Sequence, residues 1–97
     1  MERYLIYLGL ESNDGDKWDY IEALDIIIKV ASEIGVMGFT AYQTIGMWRG
    51  KTELSIRLEL FECWEQLATE YALLLKKAFK QETVGLATDV VRKVQWI

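Results

Sequence analysis

From Glu53 to Leu60 the chain alternates polar and apolar residues without a break: Glu53, Ser55, Arg57 and Glu59 against Leu54, Ile56, Leu58 and Leu60. Successive side chains of a strand point to opposite faces, so this segment is a strand with one buried face and one turned outward. Just before it, Trp48-Arg49-Gly50-Lys51 supplies the glycine of a tight hairpin. The spacing predicts a strand from Thr52 to about Phe61. An earlier one, from Met37 to Trp48, is rich in Thr, Tyr, Phe and Ile. On that earlier strand Met37, Phe39, Ala41, Ile45 and Met47 share one face, and Thr40, Tyr42, Thr44 and Trp48 share the other.

The remaining elements follow from the same periods. Arg3 to Leu10 reads as a first strand, with Tyr4, Ile6, Leu8 and Leu10 on one face and Leu5 and Tyr7 on the other. Two fairly apolar faces fit a central strand. Ser12-Asn13-Asp14-Gly15-Asp16 is turn chemistry ahead of a helix predicted over Lys17 to Ile34. Its buried face is expected to be Trp18, Ile21, Leu24, Ile28 and Ala31, widened by Ile27 and Val30. Gly35 is placed to end it in a left-handed cap. A second helix is predicted over Glu62 to Lys80, burying Trp64, Leu67, Tyr71, Leu74, Leu75 and Ala78. Thr83 to about Val91 then reads as a fourth strand, followed by the tail Arg92 to Ile97.

The order is β-α-β-β-α-β in one domain, residues 1–97. Short connections and right-handed crossovers favour one solution: an α+β, ferredoxin-like two-layer sandwich. Its sheet is antiparallel in spatial order 4-1-3-2, with both helices on one face. Three connections then meet at one pole: the loop Glu11 to Asp16, the hairpin Trp48 to Lys51 and the corner Lys80 to Thr83. Loops on a rigid scaffold are where binding resides. Asn13, Asp14, Trp48, Arg49, Lys51, Glu53, Gln81 and Glu82 are therefore the candidate binding residues. The uncovered sheet face carries Leu5, Tyr7, Tyr42 and Arg57, an apolar and aromatic patch suited to a homo-oligomer interface, with a dimer expected.

Composition narrows the chemistry. A 52% apolar share and a net charge of −4 describe a globular chain and argue against nonspecific binding to phosphate backbones. Glu53 and Glu59 on the open face, and the lack of a glycine-aromatic signature, argue against RNA stacking there. Apolar runs are too short to cross a bilayer, and the start Met1-Glu2-Arg3 does not read as a secretory signal. A single cysteine, Cys63, fits a reducing, cytoplasmic setting.

Histidine is absent, which removes the commonest general base and zinc ligand. Asp14, Asp16 and Asp19 lack the ligand series of a calcium loop and read as capping acids. Cys63 reads as a small core residue. No cofactor, metal or catalytic group is expected. The leading expectation is a non-enzymatic binding protein anchored by Trp48 and Arg49, because aromatic and arginine side chains dominate binding hot spots. One alternative is a small nucleotide-binding module in which Trp48 or Tyr7 stacks a base and Arg49 and Lys51 hold phosphates. The other is a small enzyme with a polar pocket at the hairpin pole, where Glu53 and Glu82 could act as a pair.

Tyr7-Leu8-Gly9-Leu10, Gly46-Met47-Trp48-Arg49-Gly50 with Glu53-Leu54-Ser55, and Phe79-Lys80-Gln81-Glu82-Thr83-Val84 together resemble a group of small uncharacterised bacterial and bacteriophage proteins, a domain of unknown function. Trp48, Gly50, Gln81, Glu82 and Val84 carry the resemblance. It implies no fixed activity. Small phage proteins of this size frequently act by binding, including as inhibitors of host defence that block a protein or sequester a signalling nucleotide, which would place such a protein in the host cytoplasm.

Overall fold

The computed structural model describes residues 1–97. Its elements are β1 (Glu2–Gly9), α1 (Tyr20–Ile34), β2 (Thr40–Trp48), β3 (Lys51–Leu60), α2 (Glu65–Ala78) and β4 (Gly85–Val90). The four strands form one antiparallel sheet in the order β2-β3-β1-β4, the ferredoxin-like arrangement expected. Both predicted strand faces of β1 hold: Tyr4, Ile6, Leu8 and Leu10 are buried, while Tyr7 is exposed. Ile56, Leu58 and Leu60 of β3 join them beneath the helices, with Leu67, Ala68, Tyr71, Ala72 and Leu75 of α2 and Phe79 behind it.

The helices start later than the spacing predicts. Asp19 caps α1, its carboxylate accepting the Glu22 N–H at 2.8 Å, so Lys17 and Trp18 stand outside. Gly35 ends the helix at φ 82°, as expected of a left-handed cap. Trp64 occupies the position before α2 and is exposed, not buried as its spacing suggested.

The inward stripe of α1 is also a correction. It consists of Ala23, Ile27 and Ala31, whereas Ile21 is 75% exposed and Ile28 51% exposed. Two alanines let the helix lie close to its neighbours, and Tyr71 of α2 donates its hydroxyl to the Ile27 carbonyl at 2.8 Å. That contact fixes the rotation of α1. Larger side chains one-quarter turn away are left outside.

Strand β2 is the second correction. Its inner row, Ala41, Gln43, Ile45 and Met47, lies level with Leu58, Ile56, Leu54 and Thr52 of β3. The helices leave that row bare, and Ile45 and Met47 are 71% and 74% exposed. Only Tyr20 reaches across, donating its hydroxyl to the Thr44 carbonyl at 2.9 Å. Met37 and Gly38 precede the strand and are exposed as well.

Candidate functional site

The hairpin between β2 and β3 turns on Arg49 and Gly50, both with positive φ, 51° and 76°. Two left-handed residues in succession match the twist of the flanking strands. Arginine is an uncommon choice there, because its Cβ crowds the carbonyl. Lys80, at the corner leading to β4, is left-handed too, with φ 49°. Such strain collects at functional positions, and both residues stand at the pole where the three connections were expected to meet.

They do meet. Glu53 Oε1 accepts the backbone N–H of Glu11 at 3.2 Å. Gln81 Nε2 donates to the Glu11 carbonyl at 3.1 Å and to the Phe79 carbonyl at 2.9 Å. The Asn13 side-chain amide donates to the Glu82 carboxylate. Ser12 is buried, and its hydroxyl accepts the Asp16 N–H at 3.1 Å, closing the loop on itself. Glu11, Ser12, Asn13, Gly15, Trp48, Lys51 and Glu53 line a cavity of about 420 Å³.

Gly9 is the floor beside this cavity. A Cβ built there would collide with the Glu53 carboxylate and lie 2.8 Å from Gln81 Oε1. Only glycine lets these two side chains cross the end of β1. Gly85, opposite Tyr7 in the sheet, serves similarly: its Cβ would sit 3.2 Å from the Tyr7 ring.

Charges at the pole are unevenly matched. Lys51 and Lys17 both approach Glu11, at 3.4 and 3.9 Å, and Lys80 pairs with Asp16 at 2.7 Å. The bond to Asp16 raises the Lys80 ammonium above its ordinary range. Glu53 and Glu82 have no cationic partner. Arg49 lies over the Trp48 ring at 5.5 Å, at the exposed tip of the hairpin. Asp14 is exposed and takes no side-chain partner.

The open face of the sheet is less bare than its residue types suggest. Tyr42, Arg57, Tyr7 and Gly85 form one row across all four strands, with the Arg57 guanidinium 4.4 Å from the centre of the Tyr42 ring. In the neighbouring rows Arg3 bonds Glu59 at 3.2 Å and also Asp89, while Tyr42 donates to Glu59 at 3.3 Å. Leu5 and Arg57 are half-buried, and Tyr7 and Tyr42 remain exposed.

Two features escaped sequence reasoning. Glu11 is the hub of the pole: its carboxylate meets Lys51 and Lys17, and its backbone N–H and carbonyl hold Glu53 and Gln81, which no residue type announces. Gly9 belongs to the site by lacking a side chain. Cys63 is half-buried, and desolvation pushes its thiol pKa up even though α2 begins just after it. No group of three or more His, Cys, Asp or Glu side chains is arranged to hold a metal ion. No helix is long and apolar enough to cross a membrane.

No protein-family model matches the chain, and no curated protein sequence matches it. Solved structures do. A phage SAM lyase in its apo state superposes with a TM-score of 0.71 at 17% identity, over 91% of this chain and 78% of that one. The phage SAM lyase in complex with S-methyl-5'-thioadenosine gives 0.62 at 19% identity, over 91% and 79%. A DUF3240 family protein from Shewanella baltica gives 0.57 at 13% identity, over 99% and 96%. At these identities the likeness is one of fold.

Proposed function

We propose that the hairpin pole binds a cationic adenosyl compound, S-adenosylmethionine in the first instance, and promotes its cleavage. The observation that carries this reading is Glu53, a carboxylate without a cationic partner that lines the cavity and lies against Gly9; Glu82, also without one, is bonded to Asn13 of the cavity wall. Lys51 and Lys80 are already engaged by Glu11 and Asp16. That balance suits a sulfonium and an ammonium better than it suits phosphates, so within the small-ligand class it favours a nucleoside cation over a nucleotide. Tyr7 and Tyr42, two residues along the sheet from the Gly9–Ser55 pair, offer rings on which an adenine can stack.

The fold shared with the phage SAM lyase supports the choice of ligand. Release of S-methyl-5'-thioadenosine breaks the bond between sulfur and the side-chain γ-carbon of the amino acid, and the electron pair stays on sulfur. The substrate's own carboxylate oxygen can form the new bond to that carbon, giving a lactone with no proton transferred. A chain without histidine can assist such a step by holding the substrate folded and its positive charge near Glu53.

The test is direct. Incubating the protein with S-adenosylmethionine should yield S-methyl-5'-thioadenosine by mass spectrometry, and Glu53→Gln should abolish the yield. Calorimetry showing neither binding nor turnover at millimolar ligand would sink the proposal.

A second reading rests on a different observation. Trp48 is 74% exposed with Arg49 stacked on it, the pairing typical of a protein-binding anchor. In that reading the hairpin tip docks on a protein partner, as an inhibitor would. Pull-down from cell extract with wild-type protein and an Arg49→Ala variant separates the two, because Arg49 stands at the hairpin tip and does not line the cavity.

A further inference from the structure

The uncovered flank of the molecule points to a partner surface separate from the pole. β2 is an edge strand, bonded to β3 alone. Leu54 gives its carbonyl to Leu10 on the β1 side, so the alternation of an antiparallel ladder turns the amides of Ala41, Gln43, Ile45 and Met47 to the free edge. Four residues therefore present unpaired N–H and C=O groups along a strand about 30 Å long. Natural edges are usually blunted by lysines, prolines or bulges. This one has none: no charged residue occurs between Glu33 and Arg49, and the chain has no proline. Both faces of β2 are open, and the inner row adds Ile45 and Met47, with Ile21 and Ile28 exposed on α1.

We infer that this edge is where a second copy of the same chain docks, its backbone adding to β2 and its apolar side chains covering Ile45 and Met47. The identity of the occupant follows from charge. Two copies with a net charge of −4 each repel wherever acidic surface meets acidic surface. The uncharged segment from Ile34 to Trp48 is the one long stretch where like meets like without that cost. Backbone pairing supplies hydrogen bonds independent of side-chain sign. The inference rests on β2 alone and stands whatever the pole binds. It differs from an interface on the open sheet face, where Arg3 bonds Glu59 and Asp89, Tyr42 donates to Glu59 and Arg57 packs over the Tyr42 ring.

Light scattering coupled to gel filtration, on the full chain at micromolar concentration, tests it. The wild type should elute at a multiple of 11.3 kDa. Ile45→Lys replaces a side chain already 71% exposed and should return the 11.3 kDa species with an unchanged circular dichroism spectrum. Gln43→Pro removes an N–H that faces the free edge and not β3, and it should dissociate the assembly in the same way. A wild type that runs at 11.3 kDa overturns the inference. So does an assembly that survives both substitutions, and so does one dissociated by Tyr7→Lys on the open face but not by Ile45→Lys.

Discussion

Glu53 and Glu11, 42 residues apart, are joined by a hydrogen bond from the Glu11 backbone N–H to the Glu53 carboxylate at 3.2 Å. The bond ties the start of β3 to the end of β1, and it lays the Glu53 side chain across Gly9. The carboxylate is thereby oriented by the backbone and left without a neutralising cation. Gly9→Ala should push Glu53 and Gln81 out of place. We expect loss of S-adenosylmethionine binding, measured by calorimetry, with a destabilisation of about 1–3 kcal/mol typical of overpacking. Retained binding at wild-type affinity would mean that the Glu53 position is irrelevant to the ligand.

The hairpin tip sets stability against function. Arg49 holds φ 51°, a conformation costing a non-glycine residue roughly 1–2 kcal/mol. Arg49→Gly should therefore raise the denaturation midpoint, because the turn keeps its shape and loses its strain. If the tip is a protein anchor, Arg49→Gly combined with Trp48→Ala should abolish capture of the partner by the folded protein. Unchanged capture would remove the hot-spot assignment. A fall in stability on Arg49→Gly would show that the arginine is held by contacts worth more than its strain.

How much of this was legible in the chain depends on which groups do the work. The sheet order and the meeting of three connections at one pole follow from the β3 alternation and from short links, and these were readable. The rotation of α1 was not. Ile21, Leu24 and Ile28 recur at three- and four-residue steps and Ala23, Ile27 and Ala31 at four-residue steps, both helical, so periodicity alone cannot choose between two apolar stripes. The Tyr71 hydroxyl on the Ile27 carbonyl makes the choice, and it is a tertiary contact. Nor does a row such as Ala41, Ile45 and Met47 announce whether a helix covers it. Glu11 holds Glu53 and Gln81 through main-chain groups, and Gly9 acts through an absent Cβ.

Tyr71 tests the interhelical contact. Its side chain is fully buried, and burial pushes the phenol pKa up, keeping it a neutral donor. Tyr71→Phe would leave the Ile27 carbonyl without that donor in a dry core. The expected cost is about 1–2 kcal/mol, read as a lowered midpoint in urea with an unchanged slope. A neutral effect would mean that α1 is held by apolar packing alone.

Asp19 gives the chain a predictable acid response. Its hydrogen bond from the Glu22 backbone N–H holds its carboxyl pKa below the ordinary 3.8, so the folded state favours the ionised form. A carboxyl lowered in this way contributes stability above its unfolded pKa, and the contribution is lost as pH falls through the lower, folded value. Asp89, lowered by its bond from Arg3, acts in the same direction and the same window. The melting temperature should therefore be flat in its dependence on these two groups near neutrality and should drop below about pH 4. Asp19→Asn keeps a capping acceptor but cannot titrate, so its melting temperature should fall less steeply in acid than that of the wild type. Parallel acid slopes for the two proteins would show that the cap does not govern the response.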